Sequence, residues 1–189
     1  VSVGSSSGPG VFCWAPDGQA LALARDPTGA VEIVETQSGR VLRRLTGQAQ
    51  PITSIAWSAD ASTLVAGTAG GTLRVWEVGS ASPATYRETV VGGSKVQAAL
   101  LQADPLRVVT PTAEGEVGLW DVREGRMFKT FASSAGAVHC LALAHDEKTM
   151  VSAGSDQTVR LWDLQAGGLV RTFRNDPNRP RSKTWSFTA

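Results

Sequence analysis

Tryptophan recurs in this chain at a nearly fixed interval. Counting back from Trp162 in "VRLWDL", Trp120 lies 42 residues earlier in "EVGLWDV" and Trp76 another 44 earlier in "TLRVWEV"; a further step of 42 reaches Val34 in "AVEIVET". A second set of positions keeps the interval independently. Trp14, Trp57, Leu101 and Leu143 each end a short apolar run, at spacings of 43, 44 and 42 residues. Two anchors with one period mean one supersecondary unit copied four times. Such a unit cannot bury its apolar faces alone and must stack on its neighbours.

Each unit divides into four short strands. The opening apolar run is followed by a turn at Asp17-Gly18, Asp60-Ala61, Asp104-Pro105 or Asp146-Glu147. A second apolar strand comes next ("ALALA", "TLVAG", "LRVVT", "TMVSAG"), then a tight turn and the strand with the Trp position. Alternation such as Val159-Arg160-Leu161-Trp162 is the period-two pattern of a strand with unlike faces. Gly39, Gly79, Gly125 and Gly167 or Gly168 mark the next turn, and "VLRRL", "YRETVV", "MFKTF" and "LVRTF" close the units. No helix-period segment of useful length interrupts them, so the predicted class is all-β.

Composition narrows the function. Apolar residues make up 42% of the 189 and charged residues 19%, the balance of a globular chain. A net charge of +1 gives no argument for nucleic acid or a membrane surface. Cys13 and Cys140 have neither disulfide-framework nor metal-site spacing. No apolar run is long enough to span a bilayer, and no basic-then-apolar leader opens the sequence. The expected setting is intracellular, in the cytoplasm with the nucleus or cilium as alternatives, with no membrane and without nucleic acid as the expected partner.

The four-strand unit with its Trp-Asp signature resembles the WD40 repeat of β-propellers. Trp120-Asp121 and Trp162-Asp163 keep the pair, Trp76-Glu77 is a near variant and Val34-Glu35 has lost the Trp. The fourth unit, with Ser152, Asp156, Thr158 and Trp162, is nearest the family pattern. The resemblance implies a propeller of four-stranded antiparallel blades, with part of a buried Ser–Asp–Trp network kept in the fourth unit. The family's Gly-His pair is poorly kept, and the tight-turn Asp156 is replaced by Glu114 and Gly70 in the third and second units.

WD40 rings most often have seven blades, and four repeats fall short of that. The expected organisation is a partial WD40 β-propeller over 1–189, with repeats near 1–46, 47–91, 92–132 and 133–174. Residues 175–189 would be a loop and the first strand of a fifth repeat. On this reading the remaining blades come from the same longer chain.

No constellation of catalytic residues emerges, so the chain is expected not to be an enzyme and to carry no cofactor or metal. His139 adjoins Cys140, but adjacent strand residues point to opposite faces and cannot act as a nucleophile–base pair. "GTAGGT" at 67–72 falls between two strands, whereas phosphate loops precede helices.

By resemblance, the chain is a non-catalytic scaffold binding other proteins through loops at the propeller mouth. Matching positions name Arg25, Thr53, Lys95, Gln97, His139, Ser155, Arg181 and Lys183 as partner-binding residues. Their mildly basic balance favours acidic or phosphorylated segments. A narrower alternative rests on Trp120-Asp121-Val122-Arg123, which resembles the WDxR box of propellers that serve as substrate receptors of cullin-RING ubiquitin ligases. A further alternative is an interaction domain fused to an enzyme outside this segment. The structural signature itself is Trp76, Trp120, Asp156, Trp162 and Asp163.

Overall fold

A computed structural model describes residues 10–25, 29–46, 50–79, 86–91, 100–101, 107–112, 115–122, 124–131, 136–144 and 146–174. Sixteen strands fill these stretches, and no helix occurs among the described residues. The first sheet is β1 (Val11–Trp14), β2 (Ala20–Ala24), β3 (Val31–Glu35) and β4 (Val41–Leu45). The second is β5 (Ile52–Trp57), β6 (Thr63–Thr68), β7 (Thr72–Glu77) and β8 (Tyr86–Val90). The third holds β9 (Leu100–Leu101), β10 (Arg107–Pro111), β11 (Val117–Asp121) and β12 (Arg126–Phe131). The fourth holds β13 (Val138–Leu143), β14 (Thr149–Gly154), β15 (Thr158–Asp163) and β16 (Leu169–Arg174).

Every sheet is an antiparallel meander in chain order, the architecture of a propeller blade. Short turns make that order cheap to close. Asp17, Asp60 and Asp146 each accept the backbone N–H two residues on, at 2.9–3.0 Å, which fixes the turn after the opening strand. The turn before the Trp strand needs a left-handed residue five positions ahead of the Trp place. Glycine supplies it at Gly71 and Gly115, but Gln157 does so in the fourth sheet, with φ of 59°.

The sheets pack through their opening strands, β1 on β5, β5 on β9 and β9 on β13. Among the described residues no comparable packing returns from β13 to β1, so the four blades are an open series.

The core lies between the sheets. Ala22, Val31 and Ile33 of the first sheet meet Ile52, Ile55, Leu64 and Trp76 of the second. Val65, Leu73 and Val75 of the second meet Val108, Trp120 and Val122 of the third. Val109, Leu119 and Phe131 of the third meet Leu141, Met150 and Trp162 of the fourth, with Phe131 edge-on to Trp162. The period-two alternation does this. In β7, Trp76 turns to the preceding sheet while Leu73 and Val75 turn to the following one. Each fully buried apolar side chain contributes about 1.5–3 kcal/mol, so these joints dominate the stability.

Candidate functional site

Two irregularities break the meander at one end of the molecule. The register of β5 on β6 shifts between Ile52 and Ser54, and that of β13 on β14 shifts between Val138 and Cys140. The extra residues are Thr53 and His139, at matching places in the second and fourth sheets. A bulge re-aims the side chain of the residue it inserts. Thr53 Oγ1 donates to the Gly67 carbonyl at 3.1 Å. His139 is exposed, and its Nε2 lies 2.7 Å from Ser155 Oγ. Ser155 is anchored from below, its N–H donating to Ala137 O at 2.9 Å. The structure thus brings together two of the predicted partner-binding residues, His139 and Ser155, on one exposed rim.

Arg25 sits on the first sheet. Its Nη2 is 2.7 Å from Glu32 Oε2, and Arg44 Nε approaches the other oxygen at 3.6 Å. Its bond and that of Thr53 stay within their own sheets. Lys95, Gln97, Arg181 and Lys183 lie outside the described residues, as does Arg123.

The residues of the Trp-Asp signature have structural work. Trp76, Trp120 and Trp162 are buried in the joints. The carboxylate after the Trp holds the following turn: Asp163 Oδ1 accepts from Gln165 and Ala166 N–H at 2.8 and 2.7 Å, and Asp121 Oδ1 from Glu124 N–H at 3.1 Å. Trp120 and Asp121 of the WDxR box are thus occupied by the fold.

The expected Ser–Asp–Trp network divides into two pieces. Trp162 Nε1 donates to Ser152 Oγ at 2.8 Å in a buried bond. Asp156 does not join it. Its Oδ1 accepts from Thr158 N–H and Oγ1, and Arg160 Nη2 meets its Oδ2 at 2.6 Å. That guanidinium, helped by the Thr158 donors, lowers the Asp156 carboxyl from the usual 3.8 to about 2. Arg160 also donates to Thr158 Oγ1, closing a small circuit on the turn beside Ser155. Sequence reasoning passed over Arg160. The signal was an Arg four residues after the Asp, early on the strand that follows the turn, from which it reaches back to the turn carboxylate.

Among the described residues no group of three or more His, Cys, Asp and Glu could hold a metal ion. The rim offers hydrogen bonding and shape.

Comparison with known proteins agrees with this geometry. A family model described as nucleolar protein 10-like, N-terminal domain, matches residues 37–184. Another, the anaphase-promoting complex subunit 4 WD40 domain, matches residues 10–60. A periodic tryptophan protein 2 homolog of Neurospora crassa is 27% identical over 109 residues, 58% of this chain and 12% of that protein. Autophagy-related protein 16 of Arabidopsis thaliana is 32% identical over 133 residues, 70% of this chain and 26% of that protein. The match thus spans 12% and 26% of the length of these two relatives. With four blades on the page and a model covering well over half of the chain, the chain belongs to the nucleolar protein 10-like N-terminal-domain family of WD40-type β-propellers.

Proposed function

We propose that the chain is a non-catalytic binding sector of a multi-subunit assembly inside the cell, which holds protein segments at the rim carrying Thr53, His139 and Ser155. WD40 propellers in general bind other proteins, and one matching family is named as a subunit of a complex. The observation that carries the reading is the pair of matching bulges, which turn Thr53 and His139 out of the strand pattern. A bulge that served packing alone would not leave His139 exposed and bonded to a serine from the neighbouring turn.

The preferred ligand class is an acidic or phosphorylated segment. Arg25, Lys95, Arg181 and Lys183 share the mouth by repeat position, and a serine–histidine pair can donate to a carboxylate or phosphate oxygen.

The test is fluorescence anisotropy with acidic and phosphoserine peptide pools against residues 1–189. The expected result is saturable binding that weakens about tenfold in a His139→Ala/Ser155→Ala double variant and in Arg25→Glu/Lys95→Glu. Binding unchanged in both would remove the mouth as the site. Binding of neutral peptides alone would remove the charge preference.

A further inference from the structure

One place in each sheet lies two residues before the Trp position. In the first, second and fourth sheets it holds a charged side chain in an ion pair: Glu32 with Arg25 and Arg44, Arg74 with Glu88, and Arg160 with Asp156. In the third sheet it holds Gly118. Two side chains close over that glycine instead. A Cβ at Gly118 would stand 2.6 Å from Met127 Sδ and 2.8 Å from Trp120 Nε1. The register explains the meeting. Thr110, Gly118 and Thr130 form one cross-strand row, and Val108, Trp120 and Met127 form the next row on the same face. Thr130 Oγ1 donates to the Met127 sulfur at 3.6 Å and helps to hold it over the glycine.

The sulfur and the indole make an unsatisfied pair. Trp120 Nε1 is buried and has no hydrogen-bond partner among the described residues. An indole nitrogen can only donate, and a thioether sulfur is a weak acceptor. Met127 itself is 41% exposed, whereas Met150, the other methionine of the chain, is 1% exposed. The third sheet has a neighbour on each face, the second sheet on one and the fourth on the other, so the exposure of Met127 belongs to an interior blade. The matching places in the other sheets hold Val41, Tyr86 and Leu169. Among these four places, only that of the third sheet brings a sulfur to the Trp position.

We propose that Met127 is a reversible oxidation site for hydrogen peroxide, and that the sulfoxide oxygen accepts the indole N–H of Trp120. In the reaction the sulfur lone pair attacks one peroxide oxygen. The S–O bond forms as the O–O bond breaks, and the departing hydroxide takes the proton left on the transferred oxygen to give water. Sulfur loses two electrons and the peroxide gains them. Thiol-dependent methionine sulfoxide reductases reverse the step. A sulfoxide usually loosens a packed region because it turns an apolar side chain polar. Here it supplies the strong acceptor that a buried donor lacks, one bond beyond the sulfur and beside the indole. Trp120 packs with Val65, Leu73 and Val75 of the second sheet, so oxidation tightens the joint between the second and third blades.

The experiment treats residues 1–189 with hydrogen peroxide in a Cys13→Ala/Cys140→Ala background, so that neither free thiol competes. Peptide mass spectrometry should show Met127 gaining one oxygen about tenfold or more faster than the buried Met150. In urea melts the oxidised protein should have an unfolding constant about fivefold smaller than the reduced protein. The Trp120 indole N–H resonance should move downfield, as a new hydrogen bond requires. Reductase treatment should restore the melt and the resonance. Trp120→Phe, which has no N–H to offer, should lose the gain on oxidation. A second comparison serves where that variant does not fold: Met127→Gln, with an amide oxygen on a stem of similar length, should melt at higher urea than Met127→Leu. Equal oxidation rates at Met127 and Met150 would overturn the proposal. So would a melt left unchanged or lowered by oxidation, an unmoved Trp120 resonance, or a Gln variant no more stable than the Leu variant.

Discussion

The indole N–H of Trp162 donates to the hydroxyl of Ser152 at 2.8 Å, and both groups are buried. One blade back, Trp120 and Thr110 hold the same two places, yet Trp120 Nε1 and Thr110 Oγ1 are both buried without a hydrogen-bond partner among the described residues. A serine turns its hydroxyl freely, whereas threonine must also seat a methyl group, and its χ1 is stiff. One fold position thus exists in a satisfied and an unsatisfied form.

Opposite responses to mutation follow from this pair. Ser152→Ala strands the Trp162 N–H and should cost about 1–3 kcal/mol. Thr110→Val keeps the shape, removes one orphaned hydroxyl and should stabilise by about 1 kcal/mol. Urea melts of the two variants check the signs.

The left-handed turn residue at 157 gives a second prediction. Gln157 holds φ of 59° where the second and third blades use glycine. A side chain in that region costs about 1–2 kcal/mol, partly offset by the greater freedom of glycine in the unfolded chain. Gln157→Gly should therefore raise stability by about 0.5–1 kcal/mol, seen as a higher thermal midpoint.

Asp156 sets an acid limit. Its carboxyl is lowered from 3.8 to about 2 by Arg160 and the Thr158 donors. The folded form therefore holds its charge more firmly than the unfolded one. The resulting stability is complete above about pH 4 and is lost as pH falls through 2. Asp156→Asn should cost about 1 kcal/mol at neutral pH and flatten the stability–pH curve between 4 and 2, as read by denaturant melts at a series of pH values.

Lys129 is the bridge between the third and fourth blades. Lys129→Met keeps much of the apolar stem but removes the ammonium over the Phe131 ring and both bonds to the Leu164 and Gln165 carbonyls. We expect a loss of about 1–2 kcal/mol and faster hydrogen exchange confined to residues 163–168. Uniformly faster exchange would show instead that Lys129 supports the whole array.

How much of this can be read from the chain alone depends on the period. Two anchors at 42–44 residues locate all four sheets and predict that Trp76, Trp120 and Trp162 pack blades, because alternation and turn chemistry are local properties. Of the positions expected at the mouth, His139 and Ser155 meet at the end of the fourth sheet. The bulges at Thr53 and His139 were not legible, because a bulge is a relation between two strands. Nor was the charge reversal in which the cross-strand pair Glu32–Arg44 of the first blade becomes Arg74–Glu88 in the second. Those residues are 12 and 14 apart, and only the register of β3 on β4 and β7 on β8 makes them neighbours.

The placement of the core between sheets has a consequence for how such a chain can change. No blade owns an interior, so the heritable unit of stability is the seam. A copied repeat brings a front and a back that already fit every other copy, and it adds one seam without redesign. A harmful substitution at Trp120 damages the seam on one side of its blade and leaves the seam on the other intact. A signature can therefore be absent, as it is at Val34, while the array holds.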